Sequence, residues 1–210
     1  MANSRTPAGT SAATAAPAPA RLSVRERLLA SADELFYREG INNVGIDRVL
    51  EHAGVAKASL YSTFGSKDEL VRAYLEGRQQ SRRVRIEERI ARHKTPRDQL
   101  LAIFDAMAET LARPGFRGCA FVMASAELPG GRGAQEVVAA YRAWVRELLL
   151  RLCKEAGARQ PRLLAQQLGL LYDGSLVAGQ LDGDPAVVAT ARQTAALLLD
   201  AAVAPARRAA

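Results

Sequence analysis

The stretch from Ser23 to Leu75 constrains the fold most, because helix start and stop signals recur in it at intervals too short for anything but compact helices. Ser23 and Glu26 stand in the S-x-x-E spacing of a capping box, in which each side chain satisfies an orphaned backbone N–H of the first turn. Leu28, Leu29, Ala32, Leu35 and Phe36 follow at helical spacing, and Gly40 supplies a stop. A second, short segment places Ile46, Val49, Leu50 and Ala53 on one face and ends at Gly54, where the tight turn Ala53-Gly54-Val55 needs a positive φ. A third runs from Lys57 to Phe64 and breaks at Gly65. Ser66 and Glu69 repeat the box spacing and open a helix through Leu70, Val71, Tyr74 and Leu75 toward Arg92. Two short helices joined by a glycine turn and flanked by longer ones define a helix-turn-helix.

The rest of the chain reads as helix as well. Thr95-Pro96 is an N-cap followed by proline at the first helical position. The helix behind it carries Leu100, Ile103, Phe104, Met107 and Leu111 up to Pro114-Gly115. Further helices are predicted at about 118–128, 134–156, 161–178 and 185–203, the last opened by Asp184-Pro185. Aromatic residues make up only 5% of the chain, and the abundant Ala and Leu lose little on entering a helix. The expectation is an all-α protein. Residues 1–20, rich in Ala, Pro, Thr, Ser and Gly with Arg5 the one charge, read as a disordered arm. No apolar run approaches the roughly 20 residues of a membrane span, and two cysteines, Cys119 and Cys153, make no disulfide framework, so a cytoplasmic protein is the default. His52 and His93 lack metal-site spacing, and the chain has no nucleophile elbow, phosphate loop or dinucleotide fingerprint. The reading is of a non-enzyme without cofactor or metal.

The third short helix holds the candidate chemistry. Its outward residues, Lys57, Ala58, Ser59, Ser62 and Thr63, are small or hydrogen-bonding, and such a surface can approach base edges in a major groove about 12 Å wide. Leu60 and Phe64 point the other way. Lys67 begins the next helix, where a phosphate would gain both the helix dipole and the ammonium. The net charge of +7 suits a polyanionic partner; residues 21–94 hold 15 Lys/Arg against 11 Asp/Glu. A solvated surface role for Lys57 and Lys67, and simple packing for Tyr61, are the competing readings.

The run AGVAKASLYSTFGSKDELV resembles the DNA-binding domain of the TetR family of regulators, and RERLLASADELFYREG resembles that family's first helix. The likeness covers residues 21–75. It implies a three-helix DNA-binding head at about 21–67 and an effector-binding and dimerisation domain at about 68–204. It also implies base or phosphate contacts from Lys57, Ala58, Ser59, Ser62 and Thr63, and backbone contacts from Tyr61 and Lys67. Gly45 stands where many relatives carry a capping Ser or Thr that touches a phosphate, and Ala56 replaces a frequent serine. FRGCAFVMASAEL (116–128) looks like the central helix of one group of these regulators. The implied activity is repression of a palindromic operator by a homodimer, paired through the last two helices (about 161–178 and 185–203), with release by a small, largely apolar effector. A helical ligand-binding or interaction protein without sequence-specific DNA binding is the alternative.

Phe104, Met107, Phe121, Met123, Tyr141, Trp144 and Tyr172 are candidate pocket linings, with Glu127 and Asp173 to orient a polar group; a plain core and exposed faces are the competing readings. The basic run Arg78, Arg82, Arg83, Arg85, Arg89, Arg92 and Lys94 reads as a solvated or inter-subunit face rather than a second DNA patch. Arg5 and Arg21 are candidates for a minor-groove arm. The two cysteines read as buried, inert thiols rather than a redox switch.

Overall fold

A computed structural model of the chain describes residues 22–203. The expected arm at 1–20, with Arg5 and Arg21, and the end of the C-terminal tail lie outside them. Among the described residues the regular elements are all helices: α1 (Val24–Glu39), α2 (Ile46–Ala53), α3 (Lys57–Phe64), α4 (Lys67–Ala91), α5 (Pro96–Leu111), α6 (Ala120–Glu127), α7 (Arg132–Glu155), α8 (Pro161–Asp182) and α9 (Val187–Ala202). One isolated antiparallel bridge, Ala158 to Val203, ties the α7–α8 turn to the end of α9. The expected all-α architecture is the observed one.

The caps explain most of the boundaries. The Ser23 hydroxyl accepts from the Glu26 N–H while the Glu26 carboxylate accepts from the Ser23 N–H, a complete capping box that also holds the Glu26 carboxyl below its usual range. Ser66 makes only half of the expected second box: its hydroxyl accepts from the Glu69 N–H, with no return bond recorded from the Glu69 side chain. Thr95 caps α5 and Pro96 takes the first helical position. Asp184 departs from expectation. It accepts from the Ala186 N–H, closing a turn, so α9 starts two residues later than the Asp-Pro pair suggests and has no side-chain cap. α8 in turn runs to Asp182 rather than about 178.

α1, α2 and α3 pack on one another around Leu28, Leu35, Phe36, Val49 and Leu60, with the first turns of α4 closing the core through Leu70, Tyr74 and Leu75. Beyond that point α4 turns to new partners, α5, α6 and α7. α7 packs on α8, α8 on α9, and α9 back on α5, around a second set of buried residues that includes Phe104, Leu149, Leu152, Leu164 and Leu168. No helix is long and apolar enough to cross a membrane among the described residues.

Ser23→Ala removes the hydroxyl that accepts from the Glu26 N–H and leaves the Ser23 N–H bond to the Glu26 carboxylate in place. A loss of about 1 kcal/mol is expected, to be read as a lower denaturation midpoint with an unchanged m-value.

Candidate nucleic-acid interface and the cavity behind it

The helix-turn-helix geometry rests on backbone chemistry at one residue and a side chain from another helix. Gly54 is left-handed (φ 61°, ψ 44°), and its N–H donates to the carbonyls of Leu50 and Glu51. The turn carbonyls are held from α1: Arg27 Nη1 donates to Gly54 O at 3.1 Å and to Ala53 O at 3.4 Å. α3 then emerges with Leu60 fully buried and the Phe64 ring half-buried beneath the Arg25 guanidinium.

The outward face of α3 is as expected in position. Lys57, Ala58, Tyr61, Ser62 and Thr63 are exposed and Ser59 is half-buried. The Ser62 and Thr63 hydroxyls donate to the Ser59 carbonyl at 3.1 and 2.6 Å, which fixes their rotors and leaves their oxygens facing solvent as acceptors. The Lys57 ammonium bonds Asp47 at 3.1 Å, which raises its pKa. Both partners are largely exposed, so the pair is weak and exchangeable.

Lys67 is placed differently from the expectation. Its ammonium turns into the head, donating to the Ile41 carbonyl at 2.7 Å beside the Phe36 ring, and this partial burial lowers its pKa. In this conformation Lys67 fastens the start of α4 to the α1–α2 loop. Gly45 and Ala56 are the N-caps of α2 and α3, and neither supplies a side-chain bond. A side chain at Gly45 would meet nothing within 4 Å, and its φ of −76° is ordinary for any residue.

The candidate pocket residues separate into three groups. Phe104 and Met107 are core residues of α5. Phe121, Tyr141, Trp144 and Tyr172 come together: Phe121 stacks on Tyr141 at 4.2 Å, Tyr141 on Trp144 at 6.1 Å, and the Tyr141 and Tyr172 hydroxyls bond at 2.9 Å. Burial raises the pKa of both phenols, so both stay neutral at physiological pH. The remaining three stand apart. Met123 is half-buried on α6. Asp173 pairs with Arg142 at 2.7 Å on the rim of an open groove of about 540 Å³ between α7 and α8. Glu127 is committed to the head rather than to a ligand: its Oε2 accepts from the Asn42 N–H at 2.9 Å, and its carbonyl accepts from the Asn42 side-chain amide at 2.7 Å.

Glu127 is one end of a strut. At the other end of α6, the Tyr37 hydroxyl of α1 donates to Gly118 O at 3.0 Å and accepts from the Arg117 N–H at 2.9 Å. α6 is thus pinned to the head at both ends. Behind it lies a cavity of about 260 Å³ between α4, α5 and the α5–α6 loop, lined by Arg78, Arg82, Arg85 and Arg113 among others. The arginine run of α4 is therefore not a uniformly solvated face. Residues 78, 82, 85 and 89 fall on one side at helical spacing. Arg78 pairs with Asp33 of α1 (Nη2 to Oδ2, 2.9 Å) and lies 4.0 Å from the Tyr37 ring centroid; Arg89 pairs with Glu109. The signal for this inward face was that i, i+4, i+7 spacing, which lies beneath a basic composition typical of surfaces.

The description "bacterial regulatory proteins, TetR family" matches residues 28–74. The fold matches a TetR-family transcriptional regulator from Streptomyces coelicolor with a TM-score of 0.81 and 33% identity, over 86% of this chain and 96% of that one. It also matches a TetR transcriptional regulator from Streptomyces avermitilis at 0.74 and 31%, over 86% and 98%. Escherichia coli NemR in its reduced form, at 0.74 and 23% over 88% and 98%, shares the fold. No curated protein matches the chain. Head, family description and full-length neighbours agree: this chain belongs to the TetR family of transcriptional regulators.

Two outcomes follow from the site geometry. Gly45→Ser places a hydroxyl cap in open space and should raise stability by about a few tenths of a kcal/mol, read as a slightly higher denaturation midpoint. Burial pushes the Cys153 thiol up to about 11, so it should resist alkylation by iodoacetamide at pH 7.5 in the folded protein and react once unfolded.

Proposed function

We propose that the protein is a ligand-responsive repressor that acts in the cytoplasm, binding a palindromic operator as a homodimer and leaving it when a small effector binds. The observation that carries the DNA reading is the outward face of α3: small side chains and oriented hydroxyls, on a helix held by the Gly54 turn and the Arg27 clamp. Ser59, Ser62 and Thr63 read base edges, Lys57 exchanges Asp47 for a phosphate, and Tyr61 contacts the backbone. The bonds of Lys67 within the head make its role the placement of α4 rather than primarily charge.

The dimer reading is supported by unpartnered apolar side chains on the last two helices. Leu163, Leu170, Val177 and Leu181 of α8 and Leu197 of α9 are exposed, Leu170 at 73% and Leu197 at 70%, and the first three recur every seven residues along one face. Apolar exposure of that order on two adjacent helices supports the reading that this side faces a second subunit. Two heads related by a twofold axis reach half-sites about one helical turn apart, roughly 34–36 Å. An effector releases DNA only to the extent that it binds the non-binding conformer more tightly, and the α6 strut connects the C-terminal helices to the head.

Selection of bound fragments from a random DNA pool should return a palindrome; retention of every fragment without a shared motif would overturn the reading. Lys57→Ala should weaken binding evenly across sequences and flatten the log–log salt dependence by about one unit. Leu170→Glu with Leu197→Glu should convert dimer to monomer in sedimentation while leaving helix content unchanged.

A further inference from the structure

The cavity behind α6 holds an excess of positive charge that the protein does not balance. Arg82 is only 9% exposed, and no carboxylate lies within 4.0 Å of it among the described residues. Its partners are neutral groups: the Cys119 sulfur, 3.6 Å from Nη1, the faces of Phe121 and Tyr141 at 6.0 and 5.9 Å, and the Tyr141 and Tyr172 phenols, which favour its charged form against burial. Arg85, one turn further on, is half-buried; its Nε is buried and has no hydrogen-bond partner. Arg85 also has its pKa lowered, first by desolvation and then by the like charges of Arg113, Arg82 and Arg78. Arg113 enters from the α5–α6 loop, and neither it nor Arg85 takes part in a recorded ion pair. Arg78 alone is balanced, by Asp33.

Guanidinium groups stay ionised at any accessible pH. Desolvation penalises a buried charge that no carboxylate balances, and the like charges of Arg85 and Arg113 beside Arg82 add repulsion. Such an arrangement is tolerated where something else supplies the counter-charge. The rest of the cavity wall is apolar or aromatic, with Tyr37, Phe116 and Phe121, and Thr110 provides a hydroxyl. A recess of about 10 Å³ continues inward past Arg82, Arg85 and Thr110 toward Tyr172. At about 30 Å³ per water molecule, the 260 Å³ cavity holds roughly nine waters. That is room for a small molecule with a flat body, and planar forks such as guanidinium bind a carboxylate with two parallel bonds.

We infer that the effector is a small organic acid, with its carboxylate held by Arg82, Arg85 and Arg113 and its apolar body against Phe116 and Phe121. The inference rests on the proposed regulatory function and names the ligand class for it. Tyr37 gives the site a direct route to the head, since it lines the cavity and belongs to α1. Its hydroxyl bonds the loop that carries Arg113 and Phe116. Drawing that loop inward onto a bound carboxylate would load the Tyr37 contact and, through it, the seat of α1.

The test is thermal unfolding and calorimetry of the full-length, DNA-free protein with benzoate, phenylacetate and 4-hydroxybenzoate, each against its uncharged amide and against inorganic phosphate. At least one carboxylate should raise Tm in a concentration-dependent manner, with its amide at least tenfold weaker. Arg85→Gln and Arg113→Gln, at half-buried and exposed positions, should fold and weaken that binding at least tenfold. Arg82→Met should abolish it without lowering the Tm of the free protein. Equal shifts from acid and amide, an equal shift from phosphate, no shift from any carboxylate, or full binding by Arg85→Gln would each overturn the assignment. Because no DNA enters this measurement, loss of operator binding in the pool selection leaves its result intact, and a silent cavity leaves the operator reading intact.

Discussion

One helix has to satisfy two cores. α4 spans 25 residues, about 37 Å at 1.5 Å per residue. Its first turns bury Leu70, Val71, Tyr74 and Leu75 under α1 and α3, while its later turns bury Ile86 and Ile90 among α5 and α7. A helix of this length transmits position because its backbone bonds are closed within itself. The Arg78–Asp33 pair and the Lys67–Ile41 bond fix how α4 leaves the head, and everything beyond inherits that direction.

The cavity sits where α4 changes partners, and this explains its chemistry. A residue at the crossover faces neither core fully, so long side chains with a polar end can fill the space. Arginine stems reach into it from α4 and the α5–α6 loop, and aromatic rings from α1 and α6 close it. Of the arginines that α4 sends to this side, Arg78 and Arg89 meet carboxylates from α1 and α5, whereas Arg82 and Arg85 meet none. Low local dielectric magnifies both outcomes.

Much of the head was legible in the sequence, because helix signals there are local. A capping box, a left-handed glycine and an N-terminal proline act within four residues, and α1 to α5 begin and end close to where those signals stand. The signals misled where the same residue types serve a turn, as Asp184 does, or where only half of a reciprocal pair forms, as at Ser66. The site behind the head was far less legible. Glu127, in sequence an acid on an apolar helix, meets Asn42 across 85 residues of chain, and Arg27 meets the turn 27 residues on. Nothing local in sequence encodes such a meeting. The arginine run shows the limit plainly: composition reads as surface, and only the face on which residues 78, 82 and 85 fall separates lining from solvent. Phe121, Tyr141, Trp144 and Tyr172 were identifiable as residue types, but the charge at their centre was not.

The uncapped start of α2 has one further consequence. With glycine at position 45, the first-turn amides of α2 have no side chain to serve them and must be hydrated. A hydroxyl there would bind those amides in the free and the occupied protein alike. Solvent can serve them instead, so the protein makes no side-chain bond of its own that fixes this end of α2. The start of α2 is therefore set by the packing of Val49 and Leu50 against the head and not by a cap, so its first turn is the part of the helix least fixed by the protein's own bonds.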